Sequence, residues 1–362
     1  MSASVPANTG ELLRLDRIAV AYGSDAPVVR DLSFSLGATE IACLLGPSGC
    51  GKTTVLRAIA GFLPLRDGRI IVDGHEASGP AGMTPPERRG VGVVFQDYAL
   101  FPHLTIADNV AFGLSRWPHA EREKRVGEML RLAGLSGLAH RFPHEVSGGQ
   151  QQRVALGRAL APRPALVLMD EPFSNIDIEL RERLSAEVRD ILKTSGTGAV
   201  LVTHDQHEAF AMADVIGVMN DGRIEQWAPP YQLYHEPASR FVADFVGAGT
   251  FVRGLVRDSG GRRTISIALG ELDGAKIADA SPGQAVDVLL RPDDVVHDDR
   301  APTSAAVVRK LFRGAEFLYT LRADSGEEVL SLVPSHHDHA IGERIGIRLE
   351  VDHVVAFPVG AG

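Results

Sequence analysis

Four short apolar runs punctuate the chain: Glu40 to Leu45, Val91 to Phe95, Ala165 to Met169 and Ala199 to Thr203. Runs of this length, separated by helix-period stretches, predict parallel strands buried on both faces of an α/β core. Leu12 to Tyr22 and Val28 to Leu36 alternate instead between apolar and polar residues, the mark of half-buried strands. Asp73-Gly74 and Asp221-Gly222 supply the residues that tight two-residue turns require, so an antiparallel β portion is expected beside the core. Between about residues 98 and 163 the strand pattern vanishes. There Ala120 to Ala133 and Gly148 to Leu160 read as helices, which predicts a helical subdomain inserted in the core. Leu180, Leu184, Val188 and Ile191 then trace one face of an amphipathic helix. Its outer face alternates Arg and Glu and reads as solvated.

After Pro237 the texture changes to short β-type runs, Val286 to Leu290, Val307 to Phe312, Glu316 to Leu321 and Arg344 to Val351, punctuated by Gly, Pro and Asp. A boundary near residues 238 to 248 follows, giving an α/β domain over residues 1–240 and a small all-β domain over 241–362. The length of 362 residues agrees with two domains at roughly 100 to 200 residues each. Charge narrows the partners. With 37 basic and 46 acidic residues the net charge is −9 and neither half is basic, which argues against nucleic acid. No apolar run approaches the roughly 20 residues of a membrane span. Met1 to Gly10 lacks the basic start and apolar segment of a secretory signal, and Cys43 and Cys50 make a poor disulfide framework. A cytosolic chain is expected.

The chemistry begins at Gly46-Pro47-Ser48-Gly49-Cys50-Gly51-Lys52-Thr53, a phosphate-loop pattern that follows an apolar strand and opens a helical run from Thr54. Glycines let the backbone wrap closely, so that amides and a helix N-terminus face phosphate oxygens. Lys52 would reach the β- and γ-phosphates, and the Thr53 hydroxyl would bind Mg²⁺. Ala165 to Met169 ends in Asp170-Glu171, placing two carboxylates at the carboxyl edge of a parallel sheet, where ligands bind. Asp170 suits Mg²⁺, and Glu171 suits the general base that activates water.

Val146-Ser147-Gly148-Gly149-Gln150-Gln151-Gln152-Arg153 resembles the signature of the ATP-binding cassette (ABC) ATPases. In physical terms Ser147 and Gln150 are a helix-start pair, and Gly148 and Gly149 leave amides bare for a second anion site. Other positions are similar to that family in order. Tyr22 matches the aromatic that stacks on adenine, Gln96 the residue that senses Mg²⁺ and the attacking water, and His204 the switch histidine at the γ-phosphate. Ser174-Asn175-Ile176-Asp177 matches the dimer-contact loop, with Asp177 and Thr54 counted among the nucleotide-site residues. Val146 and the Asn175-Ile176 pair depart mildly from the family pattern. Arg291-Pro292-Asp293-Asp294 resembles a turn of the regulatory oligonucleotide-fold-like (TOBE-type) domain of importer ATPases.

The resemblance implies an ATP- and Mg²⁺-dependent hydrolase that pairs head to tail with a second copy, each ATP lying between one loop and the partner's Ser147 to Gln150. It further implies a peripheral subunit on the cytoplasmic face of a bacterial inner membrane, working with a polytopic permease and, indirectly, a periplasmic substrate-binding protein. For cargo, Val93 to Thr105 and Phe241 to Gly247 are most similar to ferric-iron importer ATPases. Polyamine, phosphonate, sulfate and sugar importers are the alternatives, and a soluble non-transport ABC ATPase is a more distant one. Ser335-His336-His337-Asp338-His339 reads as an exposed polar loop and not a metal-sensing ligand set, because contiguous histidines without partners elsewhere rarely form a defined site.

Overall fold

A computed structural model describes residues 10–174, 176–259, 262–273 and 281–359. The chain divides into two compact units, Met1–Pro230 and Tyr231–Gly362.

At the centre of the first unit is a six-stranded sheet in the order Arg223–Ala228, Val215–Asn220, Ile41–Leu45, Gly198–Thr203, Leu166–Asp170, Val91–Val94. All pairings are parallel except that of the edge strand Arg223–Ala228. Ile41–Leu45 and Gly198–Thr203 are buried at every position, as uninterrupted apolar runs require. The alternating segments form strands Glu11–Val20 and Val29–Gly37 of a separate five-stranded antiparallel sheet. Both Asp-Gly pairs make two-residue turns, Asp73-Gly74 between Val72 and His75 and Asp221-Gly222 between Asn220 and Arg223. All four residues have positive φ, as a type I′ turn demands.

The Asp221-Gly222 turn also ties three parts of the unit together. The Gly222 amide donates to the Cys50 carbonyl at 3.1 Å, and its own carbonyl accepts from the Arg30 amide at 2.9 Å. Residues 98–163 contain helices Ile106–Ala111, His119–Leu132 and Gly148–Leu160 and no strand. Helix Ile178–Ser195 buries Leu184, Val188 and Ile191 as its spacing predicts.

The second unit begins earlier than the change of texture suggests, at Tyr231 and not near residue 240. The reason is Arg291, whose side chain is buried among carbonyls of the helix pair Pro230–His235 and Arg240–Phe245 and the chain just after it. Its guanidinium donates to Tyr234, Ala243, Gly247 and Ala248 carbonyls at 3.0 to 3.4 Å and lies over the Tyr234 ring at 4.5 Å. These short helices are thus bonded into the β unit. Two five-stranded sheets follow, with one core cluster drawn from both. Here the reading of Ser335 to His339 as an exposed loop is corrected. His337 and His339 are half-buried, and His297, at the end of strand Val295–His297, joins them. The Ser331 hydroxyl donates to the Val295 carbonyl and the Leu332 amide donates to the Pro292 carbonyl at 3.0 Å, so strand Glu328–Pro334 lies beside Val295–His297. This brings in a partner some 40 residues away, which the contiguous motif could not show.

Candidate functional site: a phosphate loop facing two carboxylates

The loop Gly46–Gly51 connects the buried strand Ile41–Leu45 to helix Lys52–Ala60. Gly51 caps that helix at φ 104°, a left-handed geometry that costs little only for glycine. Lys52 is 6% exposed. Its Nζ donates to the Gly46 and Pro47 carbonyls at 2.7 and 2.9 Å, so the ammonium is held against the loop it serves. Ser48 and Gly49 form the exposed crest. Cys50 is buried against Lys52, and burial pushes its thiol pKa up despite the neighbouring ammonium. Both cysteines are free. Tyr22 is 41% exposed, and its hydroxyl lies 3.1 Å from Thr54 Oγ1. The ring therefore stands at the loop's edge and not in the core.

Strand Leu166–Asp170 brings the carboxylates to the same end of the sheet. Thr53 Oγ1 donates to Asp170 Oδ1 at 3.0 Å. Burial raises the Asp170 pKa, and the Thr53 hydrogen bond and Arg57 oppose this only in part. Two hard oxygens 3.0 Å apart match neighbouring corners of an octahedron with arms of about 2.1 Å, so this pair fits Mg²⁺. Glu171 has φ 42°, an uncommon geometry for a non-glycine residue, which persists only when its surroundings enforce it. They do so here: its amide donates to the Val202 carbonyl at 3.0 Å, and its own carbonyl accepts from the Ser174 amide and hydroxyl at 3.2 and 3.1 Å. Glu171 Oε1 lies 3.5 Å from His204 Nδ1, at the end of the adjacent strand Gly198–Thr203.

Behind His204 lies a network that the sequence patterns did not reveal. Asp205 caps helix Gln206–Met212, accepting from the His207 and Glu208 amides at 2.8 and 3.3 Å. Arg181 Nη1 meets Asp205 Oδ2 at 2.7 Å, and its Nε lies 3.4 Å from Glu208 Oε1. Thr203 Oγ1 donates to Glu208 Oε2 at 2.5 Å. Burial pulls the Asp205 carboxyl upward, yet the Arg181 hydrogen bond and two amides outweigh it and hold the pKa below the usual carboxylate range. For Glu208, burial wins and the pKa rises. The reading of the Arg/Glu run on helix Ile178–Ser195 as wholly solvated is thus corrected at Arg181, which turns inward. The spacing of Asp205 and Glu208, a cap followed three residues later by Glu, was the available signal.

The Ser147 helix start has the geometry its residues predict. Ser147 Oγ accepts from the Gln150 amide at 3.4 Å, and Gln150 Oε1 accepts from the Ser147 amide at 3.0 Å. Gly148 has open space where a side chain would be, whereas a Cβ on Gly149 would lie 2.7 Å from Leu184 Cδ1. One glycine leaves the helix start bare; the other lets it pack on helix Ile178–Ser195. Asp177 is exposed at the start of that helix. Asn175 lies outside the described residues. Gln96 sits in an exposed turn just past strand Val91–Val94. Arg158 fixes that turn, donating to the Tyr98 and Ala99 carbonyls at 2.7 and 2.6 Å. Arg158 was also missed, although an Arg amid Ala155, Leu156 and Ala159 on one helix invited the question. Among the described residues no helix is long and apolar enough to cross a membrane.

Comparison with known proteins agrees with this geometry. The ABC transporter family model matches residues 29–174 and the TOBE domain model matches residues 288–357. The chain is 40% identical over 352 residues to the spermidine/putrescine import ATP-binding protein PotA of Rubrobacter xylanophilus, covering 94% of this chain and 92% of that protein. It is 37% identical over 364 residues to the putrescine transport ATP-binding protein PotG of Escherichia coli, covering 96% and 95%. Among solved structures it resembles cbiO1 of Clostridium perfringens, part of the ABC transporter complex cbiONQ, with TM-score 0.58 and 26% identity over 63% of this chain and 92% of that one. A dimeric ATP-binding cassette in a post-hydrolysis state with ADP and Pi gives TM-score 0.52 and 29% identity over 60% and 98%. A nucleotide-binding loop facing two carboxylates, a glycine-bared helix start and full-length relatives of this kind together show that the chain belongs to the ATP-binding proteins of the ABC transporter family and carries a C-terminal TOBE domain.

Proposed function

We propose that this chain is the ATP-hydrolysing subunit of a bacterial ABC importer and that its cargo is a polyamine of the spermidine and putrescine class. The observation that carries the catalytic part is the convergence of Thr53–Asp170 at 3.0 Å and Glu171–His204 at 3.5 Å at one end of the parallel sheet. In this reading Tyr22 stacks on adenine, and residues Gly46 to Thr54 hold the phosphates by loop amides and Lys52. Thr53 and Asp170, with Gln96, would hold Mg²⁺, which when bound neutralises charge on the phosphate oxygens. Glu171 takes a proton from water as the water oxygen bonds to the γ-phosphorus and the bond to the β–γ bridging oxygen breaks, leaving ADP and phosphate. His204 steadies the γ-phosphate beside it.

The Ser147 to Gln150 helix start serves the ATP of a second copy, with Asp177 in the facing loop. Nucleotide then closes the dimer and hydrolysis releases it, a differential-affinity switch. The subunit sits on the cytoplasmic face of the inner membrane under a permease that receives cargo from a periplasmic binding protein. Phe95, next to Gln96 and 39% accessible, and Phe112, packed on Phe101 and 56% accessible, are exposed apolar groups that support docking on this subdomain. Cargo rests on the relatives. Both those named above are polyamine proteins over more than 90% of this chain, which favours polyamine over the ferric iron suggested by local segments.

Glu171→Gln should abolish steady-state ATP hydrolysis and trap an ATP-bound dimer; retained turnover refutes the general-base role. For cargo, replacing the chain with Lys52→Ala should abolish uptake of labelled spermidine or putrescine while sparing Fe³⁺ uptake. The opposite pattern overturns the polyamine reading and leaves the ATPase reading intact.

A further inference from the structure

Outside the nucleotide site, three histidines of the C-terminal unit converge. His297 comes from strand Val295–His297, and His337 and His339 from the turn after strand Glu328–Pro334. One ring nitrogen from each lies within 4.8 Å of the others. Two features distinguish this from a chance cluster. First, two of the rings are each tied to a carboxylate through one nitrogen, leaving the other for a ligand: His297 Nε2 to Asp299 Oδ1 and His339 Nδ1 to Glu343 Oε1, both at 2.9 Å. Metal-ligating histidines are oriented by bonds of this kind. Second, His339 Nε2 is buried and has no hydrogen-bond partner. With its proton on Nδ1, it presents a bare lone pair inward, an arrangement that costs free energy unless something accepts it.

The turn is also built to be rigid. The Tyr319 hydroxyl, on a wholly buried ring, donates to the His337 carbonyl at 2.9 Å and accepts from the His339 amide at 3.0 Å. Lys310 holds Asp338 at 2.6 Å and so keeps that carboxylate engaged on the outside.

We propose that His297 Nδ1, His339 Nε2 and a ring nitrogen of His337 form a binding site for a divalent late first-row cation, with Zn²⁺ as its best fit. Three imidazoles suit Zn²⁺ and leave a fourth position for water or a small ligand. A tetrahedral ion draws such nitrogens to roughly 3.3 Å apart at Zn–N distances near 2.0–2.1 Å, a closure that side-chain rotation supplies. Asp299 and Glu343 balance the two positive charges. Mg²⁺ and Fe³⁺, which favour oxygen ligands, are not expected to bind. The site lies in the C-terminal unit and is independent of the nucleotide chemistry and of the cargo.

The test uses the full chain without nucleotide or Mg²⁺, titrated calorimetrically with Zn²⁺ alone. One Zn²⁺ per chain is expected at micromolar affinity or better, weakened at least tenfold by His297→Gln and by His337→Gln. Asp299→Asn and Glu343→Gln should weaken it roughly 10- to 100-fold, and Co²⁺ should give tetrahedral visible bands that His297→Gln abolishes. Should His339→Gln unfold the β unit, the other variants still decide the matter. Absence of binding, or Zn²⁺ binding unchanged in the His297→Gln, His337→Gln double variant, overturns the proposal.

Discussion

Arg181 offers a quantitative test of how the chain segment that follows His204 is held. Arg181→Ala removes a 2.7 Å bond to Asp205 and a 3.4 Å contact with Glu208, and leaves a Glu208 side chain only 3% exposed facing Thr203 alone. Breaking a fully buried pair costs about 3–5 kcal/mol. Here Arg181 and Asp205 are each 20% exposed, so a loss of about 2–3 kcal/mol is expected. For a unit of this size that is a fall in Tm of roughly 4–12 °C. Differential scanning calorimetry of the variant measures it, and a double-mutant cycle with Asp205→Asn should return a coupling of about 1–2 kcal/mol. Because Asp205 caps the helix immediately after His204, kcat for ATP should fall more than KM changes. Arg181→Lys should restore stability in part but not the two-pronged geometry. A Tm within 2 °C of the parent, together with additive single variants, would refute the claim that this network holds the segment from Thr203 to Glu208.

Gly149→Ala should destabilise the first unit by about 1–3 kcal/mol, since its Cβ would sit 2.7 Å from Leu184 Cδ1; Gly148→Ala meets nothing and should leave chemical denaturation unchanged. The Asp294 pKa is raised to about 6, by burial first and then by Asp293 and Asp352. A carboxyl raised on folding favours the protonated state, so the C-terminal unit should gain stability as pH falls from 7 through 6 toward 4. Asp294→Asn should flatten that profile, and a wild-type profile that is already flat would count against it. Cys50 should alkylate slowly at pH 7.5, because burial raises its pKa, and faster above pH 9; rapid labelling at neutral pH would contradict the loop geometry.

What could be read from sequence differed by the range over which residues cooperate. The phosphate loop, the Asp170-Glu171 pair and the Ser147 helix start are contiguous, so their backbone geometry is encoded where their chemistry is. Arg181 and Thr203 act across elements with nothing local to mark them as inward-facing, while Glu208, three residues after Asp205, and Arg158, amid apolar neighbours, carry only a faint local signal. The three-histidine cluster was half visible: the contiguous motif was in plain sight, but His297 reaches it only through sheet topology. The start of the second compact unit at Tyr231 is hidden for a similar reason, because Arg291 bonds to helices some 45 to 57 residues earlier in the chain. Cargo was least legible, since nothing in a nucleotide-hydrolysing subunit need contact the transported molecule.

The Asp221-Gly222 turn has a thermodynamic consequence. By joining the Cys50 carbonyl to the Arg30 amide, it locks the phosphate loop to the antiparallel sheet, and the Tyr22–Thr54 contact closes the same ring from the other side. The phosphate loop and Tyr22 therefore belong to one rigid frame whose spacing is set during folding. Ordering entropy is spent there once, when the chain folds, and not again at each encounter with ATP. More of the contact energy at each turnover is then left for drawing two protein surfaces together.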